Sequence, residues 1–195
     1  MVRCAAEIIV RIAVSGTHCS GKSTLIEDFL AAHPDYVHEP EPYEWLDDAS
    51  EEPTTEDFLR QLELSVERLR HYERGARVIA ERSPVDFLAY LLALEDLGRT
   101  ARDCELLSSA GELAAAGIAH LDLLVVLPLD DEIDVPESED PALREAMNER
   151  LLDLITADPY SLFANGSPRV LEIQGSRAER LRALAYAKLR REDGR

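Results

Sequence analysis

The segment Gly16-Thr17-His18-Cys19-Ser20-Gly21-Lys22-Ser23 has residue types and a spacing that suit phosphate binding. In this pattern the glycines Gly16 and Gly21 let backbone N–H groups wrap around a phosphate. Lys22 supplies a positive charge for the outer phosphates, and the Ser23 hydroxyl can ligate magnesium. We therefore expect a phosphate-binding loop (P-loop) that holds a nucleoside triphosphate and Mg²⁺. The expected binding residues are Gly16, Thr17, His18, Cys19, Ser20, Gly21, Lys22, Ser23 and Thr24.

A charged pair, Glu81-Arg82, follows an apolar run that predicts the third strand. In parallel sheets, ligands collect beyond the carboxyl ends of the strands, so this pair is expected near the P-loop. Glu81 could bind the magnesium or assist the acceptor, and Arg82 could clamp a phosphate with two hydrogen bonds. The alternative is a structural ion pair at the end of the strand.

The predicted second strand also ends in carboxylates, Glu39 and Glu41, in a segment rich in proline. The prolines are expected to forbid regular structure there. Either carboxylate could act as the general base that takes a proton from an attacking hydroxyl. Tyr43 and Trp45 could stack on a substrate ring. The alternative is a solvated acidic turn whose aromatic side chains pack over the core.

Alternating strands and helices must position these residues. Apolar β-branched runs predict strands at 7–15, 36–39, 76–80, 121–127 and 169–173. Helical spacing of apolar residues predicts helices at 22–33, 55–74, 84–97, 99–116, 141–157 and from 177 onward. This alternation predicts an α/β fold with a parallel sheet and helices on both faces. One domain is expected over 1–195, with a lid-like segment at about 128–160.

Composition excludes several classes of partner. The formal net charge of -18 argues against broad binding to nucleic acid or to an anionic membrane. No apolar run approaches the roughly 18 residues that a membrane span requires. Cys4, Cys19 and Cys104 match neither a disulfide framework nor a metal site, which favours a cytoplasmic protein. The chain contains 19 arginines but only two lysines, and Lys22 is one of them.

The segments GTHCSGKST, EPEPYEW and VIAERSPVDFLAY together resemble the nucleoside and nucleotide kinase branch of P-loop proteins. That branch includes deoxyribonucleoside kinases, thymidylate kinases and ribosylnicotinamide-kinase-like domains. The resemblance implies a three-layer P-loop fold with the sheet order 2-3-1-4-5. It also implies that Glu41 or Glu39 is the base and that Glu81 and Arg82 bind the acceptor, magnesium and phosphates. By the same resemblance Gly175 lies against adenine, although a glycine there could simply form a turn.

Two features depart from the deoxyribonucleoside kinase pattern. An acidic stretch at 130–140 stands where those kinases carry an arginine-rich lid, and Arg144 and Arg150 follow it. Six positions on a helix separate two side chains by about 120°, so both arginines are not expected to face one phosphate. Arg144 is the preferred lid residue, and the alternative is that both are surface charges. The position of Trp45 fits the family spacing from neither candidate base.

The sequence thus predicts ATP-dependent phosphoryl transfer to a small acceptor, and a nucleoside, nucleotide or related metabolite is the expected class. ATP is favoured over GTP because the chain has no Asn-Lys-x-Asp motif for reading guanine. The alternative is a nucleotide-dependent regulatory ATPase without an acceptor. A third hypothesis, a binding module with an inactive P-loop, finds no support in the loop residues. Whether the chain forms a homodimer is left open.

Overall fold

The computed structural model describes residues 11–45, 53–129, 140–164, 166 and 168–189. Five strands among these residues form one parallel sheet in the order β2-β3-β1-β4-β5. The strands are β1 (Arg11–Ser15), β2 (Val37–Glu39), β3 (Val78–Glu81), β4 (Leu123–Val126) and β5 (Arg169–Glu172). The predicted parallel sheet and the strand order implied by the family resemblance are confirmed.

Helices cover both faces of the sheet. They are α1 (Lys22–Ala32), α2 (Thr55–Arg70), α3 (Pro84–Asp96), α4 (Cys104–Ile118), α5 (Pro141–Ala157) and α6 (Arg177–Leu189). Apolar residues of α1 and α6 pack on one face of the sheet, and those of α2 to α5 pack on the other. Adjacent residues of one strand enter opposite cores, as Ile12 and Ala13 do. The result is the predicted three-layer arrangement.

The sheet register brings the carboxyl ends of neighbouring strands together. Val14 pairs with Glu81, and Ser15 pairs with Val126. On the far side of β4, Val126 pairs with Glu172. Loops that leave β1, β3, β4 and β5 therefore share one edge of the sheet, where ligands bind in folds of this class.

Helix ends differ from the predictions where a local cap decides them. Helix α4 begins at Cys104 and not at Arg99, because Asp103 Oδ1 accepts the backbone N–H groups of Glu105 and Leu106 at 3.1 and 3.0 Å. Helix α2 stops at Arg70, four residues before its predicted end. The periodicity of apolar residues does not show at which residue a helix begins or ends.

The proline-rich segment after β2 is more regular than predicted. Pro42–Trp45 forms a short 3₁₀ helix, and the Glu44 N–H donates to the Glu41 carbonyl at 3.0 Å. The prediction that prolines forbid regular structure there is wrong, because the fixed φ of proline suits the first position of a helical turn.

Some predictions fall outside the described residues. These are residues 7–10 of the predicted first strand and residues 130–139 of the acidic stretch, so only the flanks of the lid-like segment are described. Within the described part of the chain, no helix has the length and apolarity needed to span a membrane.

Candidate nucleotide-binding site

The loop between β1 and α1 is built around glycine. Gly16 has a φ of 152°, and a Cβ on it would lie 2.6 Å from both the Leu127 carbonyl oxygen and Ser20 Oγ. Gly21 caps α1 with a left-handed φ of 88°. Any larger residue at these two positions would therefore clash with the loop or strain its backbone. With glycine there, the loop can form the compact cradle that a phosphate requires.

Lys22 folds back across this loop. Its Nζ donates to the Thr17 carbonyl at 2.8 Å, and the residue is only 5% exposed. Burial, followed by the neighbouring charge of Arg82, lowers the pKa of Lys22 to about 7. Ser20 Oγ is also buried in the loop and has no hydrogen-bond partner among the described residues. A lysine that is costly to charge and an orphaned hydroxyl both fit a loop that receives an anion.

Cationic side chains hold the loop carbonyls from outside. Arg82 donates to the Gly16 carbonyl at 3.1 Å, and Arg180 from α6 donates to the Ser20 carbonyl at 2.8 Å. From α5, one arginine reaches two carbonyls: Arg144 donates to those of His18 and Cys19 at 3.0 and 3.4 Å. Together with Lys22, these arginines satisfy each carbonyl from residue 16 to residue 20. The carbonyl oxygens of the loop, which would repel a phosphate, are thus each bonded to a positively charged side chain.

Asp86, in the first turn of α3, fixes the entry of the loop. Its side chain is fully buried, and its Oδ1 accepts the Gly16 N–H at 2.9 Å. Its Oδ2 accepts the Ser83 N–H at 2.8 Å and also the hydroxyls of Ser83 and Ser15. Asp86 falls within the helix predicted at 84–97, but no role was predicted for it. The Ser83-x-x-Asp86 spacing, typical of a helix capping box, was the available signal.

Ser23 and Glu81 form a pair of oxygen ligands beside the loop. The Ser23 hydroxyl donates to Glu81 Oε1 at 2.7 Å. Glu81 is 8% exposed, and its other oxygen lies 3.9 Å from His38 Nε2. A hydroxyl and a carboxylate are ligands that Mg²⁺ accepts together with phosphate oxygens and water. These residues therefore fit the predicted metal site.

Arg82 links the P-loop to the segment after β2. It forms an ion pair with Glu41 and not with its neighbour Glu81. Arg82 is 2% exposed and has a positive φ of 68°. Its guanidinium carbon lies 5.3 Å from the centre of the Tyr90 ring. Such a strained, buried arginine is over-determined by its surroundings, which is typical of functional sites.

His18 is the neutral neighbour of this arginine. Its ring nitrogens lie 3.3 and 3.4 Å from Arg82 Nη2. Burial, followed by the charges of Arg82 and Lys22, lowers the pKa of His18 to about 3. The imidazole is therefore uncharged at neutral pH. Cys19, the other variable loop position, is a half-buried free thiol with a positive φ of 52°.

The two candidate bases have different surroundings. Glu39 is 5% exposed, and Arg68 from α2 donates to its two oxygens at 2.6 and 3.0 Å. The Tyr72 hydroxyl donates to the same carboxylate. Burial and this hydrogen bond raise the pKa of Tyr72 to about 12. Both oxygens of Glu39 are therefore occupied, whereas the charged partner of Glu41 is Arg82, next to the P-loop.

A small cleft opens between β3, α2 and the 3₁₀ helix, and we call it the acceptor cleft. It is lined by Glu39, Pro40, Pro42, Trp45, Ser65, Arg68, Leu69, Ala80, Glu81 and Arg82. Trp45 is 51% exposed, and the guanidinium of Arg68 lies 4.3 Å above its ring. One face of the predicted stacking platform is thus taken by this arginine. Tyr43 is exposed and does not line the cleft.

Of the other residues considered for the site, Arg144 and Gly175 lie beside the P-loop or are tied to it, and Arg150 does not. Arg150 points away from the loop and pairs with Asp96 of α3, whereas Arg144 reaches the loop. Gly175 has a left-handed φ of 97°, and its carbonyl accepts from Arg180 Nε at 2.7 Å. Because Arg180 also holds Ser20, it ties the loop after β5 to the P-loop. Sequence reasoning assigned no role to Arg180.

Comparisons with known proteins agree with this fold. The model of the AAA domain family matches residues 11–180. The fold is similar to deoxyadenosine kinase from M. mycoides with bound dATP, with a TM-score of 0.66, 12% identity and coverage of 90% of this chain and 97% of that one. It is also similar to thymidylate kinase from Candida albicans, with a TM-score of 0.62, 15% identity and coverage of 91% and 90%.

A third similar structure is the NadR protein in complex with NAD and AMP-PNP, with a TM-score of 0.63 and 15% identity. That similarity covers 96% of this chain but only 51% of NadR. No curated protein matches the sequence. At these identities the structures establish the fold alone, and the predicted resemblance to P-loop nucleoside and nucleotide kinases is confirmed at that level.

Proposed function

This chain belongs to the AAA domain family, and from that premise we propose that it catalyses phosphoryl transfer from Mg·ATP to a hydroxyl or phosphate of a small acceptor. The hydrogen bond of 2.7 Å between Ser23 Oγ and Glu81 Oε1 carries this proposal. It joins the P-loop to a residue that lines the acceptor cleft. Nucleotides bound to two of the similar structures, dATP and AMP-PNP, support a nucleotide as donor.

The residues around the loop have distinct proposed roles. Lys22 and the loop N–H groups hold the outer phosphates, and Ser23 and Glu81 hold the magnesium ion. When bound, Mg²⁺ offsets negative charge on the phosphates. Arg82 and Arg144 both donate to loop carbonyls, and their positive charges stabilise charge that develops on the donor's phosphates during transfer.

We assign the base to Glu41 and not to Glu39. The oxygens of Glu39 already accept hydrogen bonds from Arg68 and Tyr72, so this carboxylate is poorly placed to take a proton from an acceptor. Glu41 is 12% exposed in its side chain and pairs with Arg82. A carboxylate at this position can accept the proton of an acceptor hydroxyl, as general-base catalysis requires. Glu39 is instead a positioning residue for Arg68.

A coupled ADP-release screen with Mg·ATP tests the proposal. The acceptors are nucleosides, nucleotides and nicotinamide riboside. We expect one acceptor class to stimulate ADP release in the wild type, and Lys22→Ala to reduce that release by at least about a hundredfold. Lys188→Ala, which replaces the other lysine of the chain on α6, is the matched control and should retain activity.

Full activity of Lys22→Ala would contradict the proposal. ADP release that no acceptor stimulates, and that survives replacement of both Glu39 and Glu41 by Gln, would identify a regulatory ATPase instead. Replacement of Glu41 alone by Gln should abolish acceptor-stimulated release while nucleotide binding persists, because the loop itself is unchanged.

A further inference from the structure

We propose that the acceptor carries no phosphate of its own, so that the acceptor cleft takes a neutral or cationic hydroxyl compound. This inference rests on the proposed function and restricts its acceptors to compounds without a phosphate. A cleft that binds a phosphorylated acceptor needs a cation free to meet the phosphate, most often an arginine. The two arginines that line the acceptor cleft are both committed to other groups.

Arg68 is neutralised by Glu39. Two of its nitrogens donate to the two carboxylate oxygens at 2.6 and 3.0 Å, a two-pronged ion pair. The same guanidinium lies over the Trp45 ring, with its Cζ 4.3 Å from the ring centroid. The Tyr72 hydroxyl further fixes the carboxylate. A phosphate that approached Arg68 would have to break this pair and leave Glu39 buried without its cation.

Arg82 is neutralised by Glu41. It also donates to the Gly16 carbonyl and contacts the ring of His18. Because this arginine is 2% exposed, it offers little free surface to a ligand in the cleft. The nearby cations Lys22 and Arg144 donate to carbonyls of the P-loop, and neither lines the acceptor cleft.

The local charge does not favour a phosphate. Within the described residues that line or flank the cleft, Arg68 and Arg82 pair with Glu39 and Glu41, and the remaining carboxylate, Glu81, is the proposed magnesium ligand. A phosphate monoester carries about -1.5 to -2 charges at neutral pH and would find no unpaired guanidinium group here. A hydroxyl can instead donate to a carboxylate without displacing any cation, and a positively charged group would not be repelled.

Matched pairs of acceptors test the inference. With Mg·ATP and the full chain, ADP release is compared for each nucleoside against its 5′-monophosphate, and for nicotinamide riboside against its mononucleotide. We expect kcat/KM to be at least about tenfold higher for the unphosphorylated member of the accepted pair. A preference for the monophosphate overturns this inference and leaves the proposed function intact. Absence of stimulation by either member of every pair overturns both.

A charge variant tests the cause of the selectivity. Glu39→Gln frees Arg68, so the preference for the unphosphorylated acceptor should fall by about tenfold. Glu44→Gln removes an exposed glutamate from the 3₁₀ helix and should leave the preference unchanged. An unchanged ratio in Glu39→Gln contradicts the electrostatic explanation. If Glu39→Gln does not fold, the wild-type comparison still decides the acceptor class.

Discussion

The backbone N–H of Gly16 donates to Asp86 Oδ1 at 2.9 Å, although the two residues are 70 positions apart in the chain. Through this bond the first turn of α3 holds the start of the P-loop. The other oxygen of Asp86 accepts from Ser83 and Ser15, so one buried carboxylate joins β1, the P-loop and α3.

Replacing Asp86 by Asn should disrupt this junction. An amide presents an NH₂ group where one carboxylate oxygen accepts hydrogen bonds, so two donors would face each other. We expect a loss of about 1–3 kcal/mol in the free energy of unfolding and weaker nucleotide binding. Urea denaturation and calorimetric titration with Mg·ATP measure the two effects. The control is Asp153→Asn on the exposed side of α5, and equal behaviour of both variants would argue against a special role for Asp86.

Nucleotide binding should be coupled to protonation of Lys22. Its pKa lies near 7 in the free protein, and the phosphates of a bound nucleotide favour the charged form, which raises this pKa. The complex therefore holds more protons than the free protein above neutral pH. We expect uptake of about one proton per nucleotide at about pH 8, and an affinity that falls as pH rises.

Calorimetry in two buffers of different ionisation enthalpy measures this uptake. Unequal binding heats in the two buffers are the expected result. Equal heats would show that no proton is taken up and that Lys22 is already charged before the nucleotide binds. Lys188→Ala should show the same uptake as the wild type.

Arg144 and Arg150 provide a matched test of the lid helix, because both lie on α5 and only Arg144 reaches the P-loop. Arg144→Ala removes donors from the carbonyls of His18 and Cys19 and a positive charge from beside the phosphates. We expect kcat/KM for Mg·ATP to fall by at least about tenfold. Arg150→Ala breaks an exposed pair with Asp96 worth only about 0–1 kcal/mol and should leave kinetics unchanged. Similar losses in both variants would point to a general effect on α5.

His18 should make the fold sensitive to acid. Its pKa is about 3 in the folded protein against the ordinary 6.5, so below pH 6.5 the unfolded chain binds a proton that the folded chain rejects. The stability that neutral His18 provides is complete above this value and is lost as pH falls toward 3. Between these limits the loss approaches about 1.4 kcal/mol per pH unit.

Urea denaturation at about pH 7.5 and about pH 5 measures this loss in the wild type and in His18→Gln. The wild type should lose more stability than the variant on acidification. His71→Gln removes an exposed histidine and should behave as the wild type does. Parallel losses in the wild type and His18→Gln would exclude His18 as the source.

Local sequence patterns predicted the framework and the parts of the site that lie next to it. The P-loop spacing located Lys22 and Ser23, and the end of β3 located Glu81 and Arg82, because strand ends in a parallel sheet share one edge. Local patterns could not reveal side-chain partners. The carboxylate of Glu39 is occupied by Arg68, 29 positions away, and the Ser20 carbonyl is held by Arg180, 160 positions away.

The proposal of Glu41 and not Glu39 as the base therefore rests on tertiary contacts. Glu39 ends β2, Glu41 lies two residues further on, and both carry a carboxylate, so spacing alone does not distinguish them. They differ in the arginine that each one contacts. Glu39 contacts Arg68 on helix α2, and Glu41 contacts Arg82, which directly follows β3. The same holds for Asp86, whose capping-box spacing explains its bonds to Ser83 but not its bond to Gly16.

The cationic side chains bonded to the loop carbonyls also have a kinetic consequence. A flexible loop must give up conformational entropy when it wraps a ligand, and this cost weakens binding and slows association. Here the carbonyls of residues 16–20 are already bonded to Lys22, Arg82, Arg144 and Arg180. Folding has thus preorganised the loop backbone, and the nucleotide should meet a nearly rigid receptor.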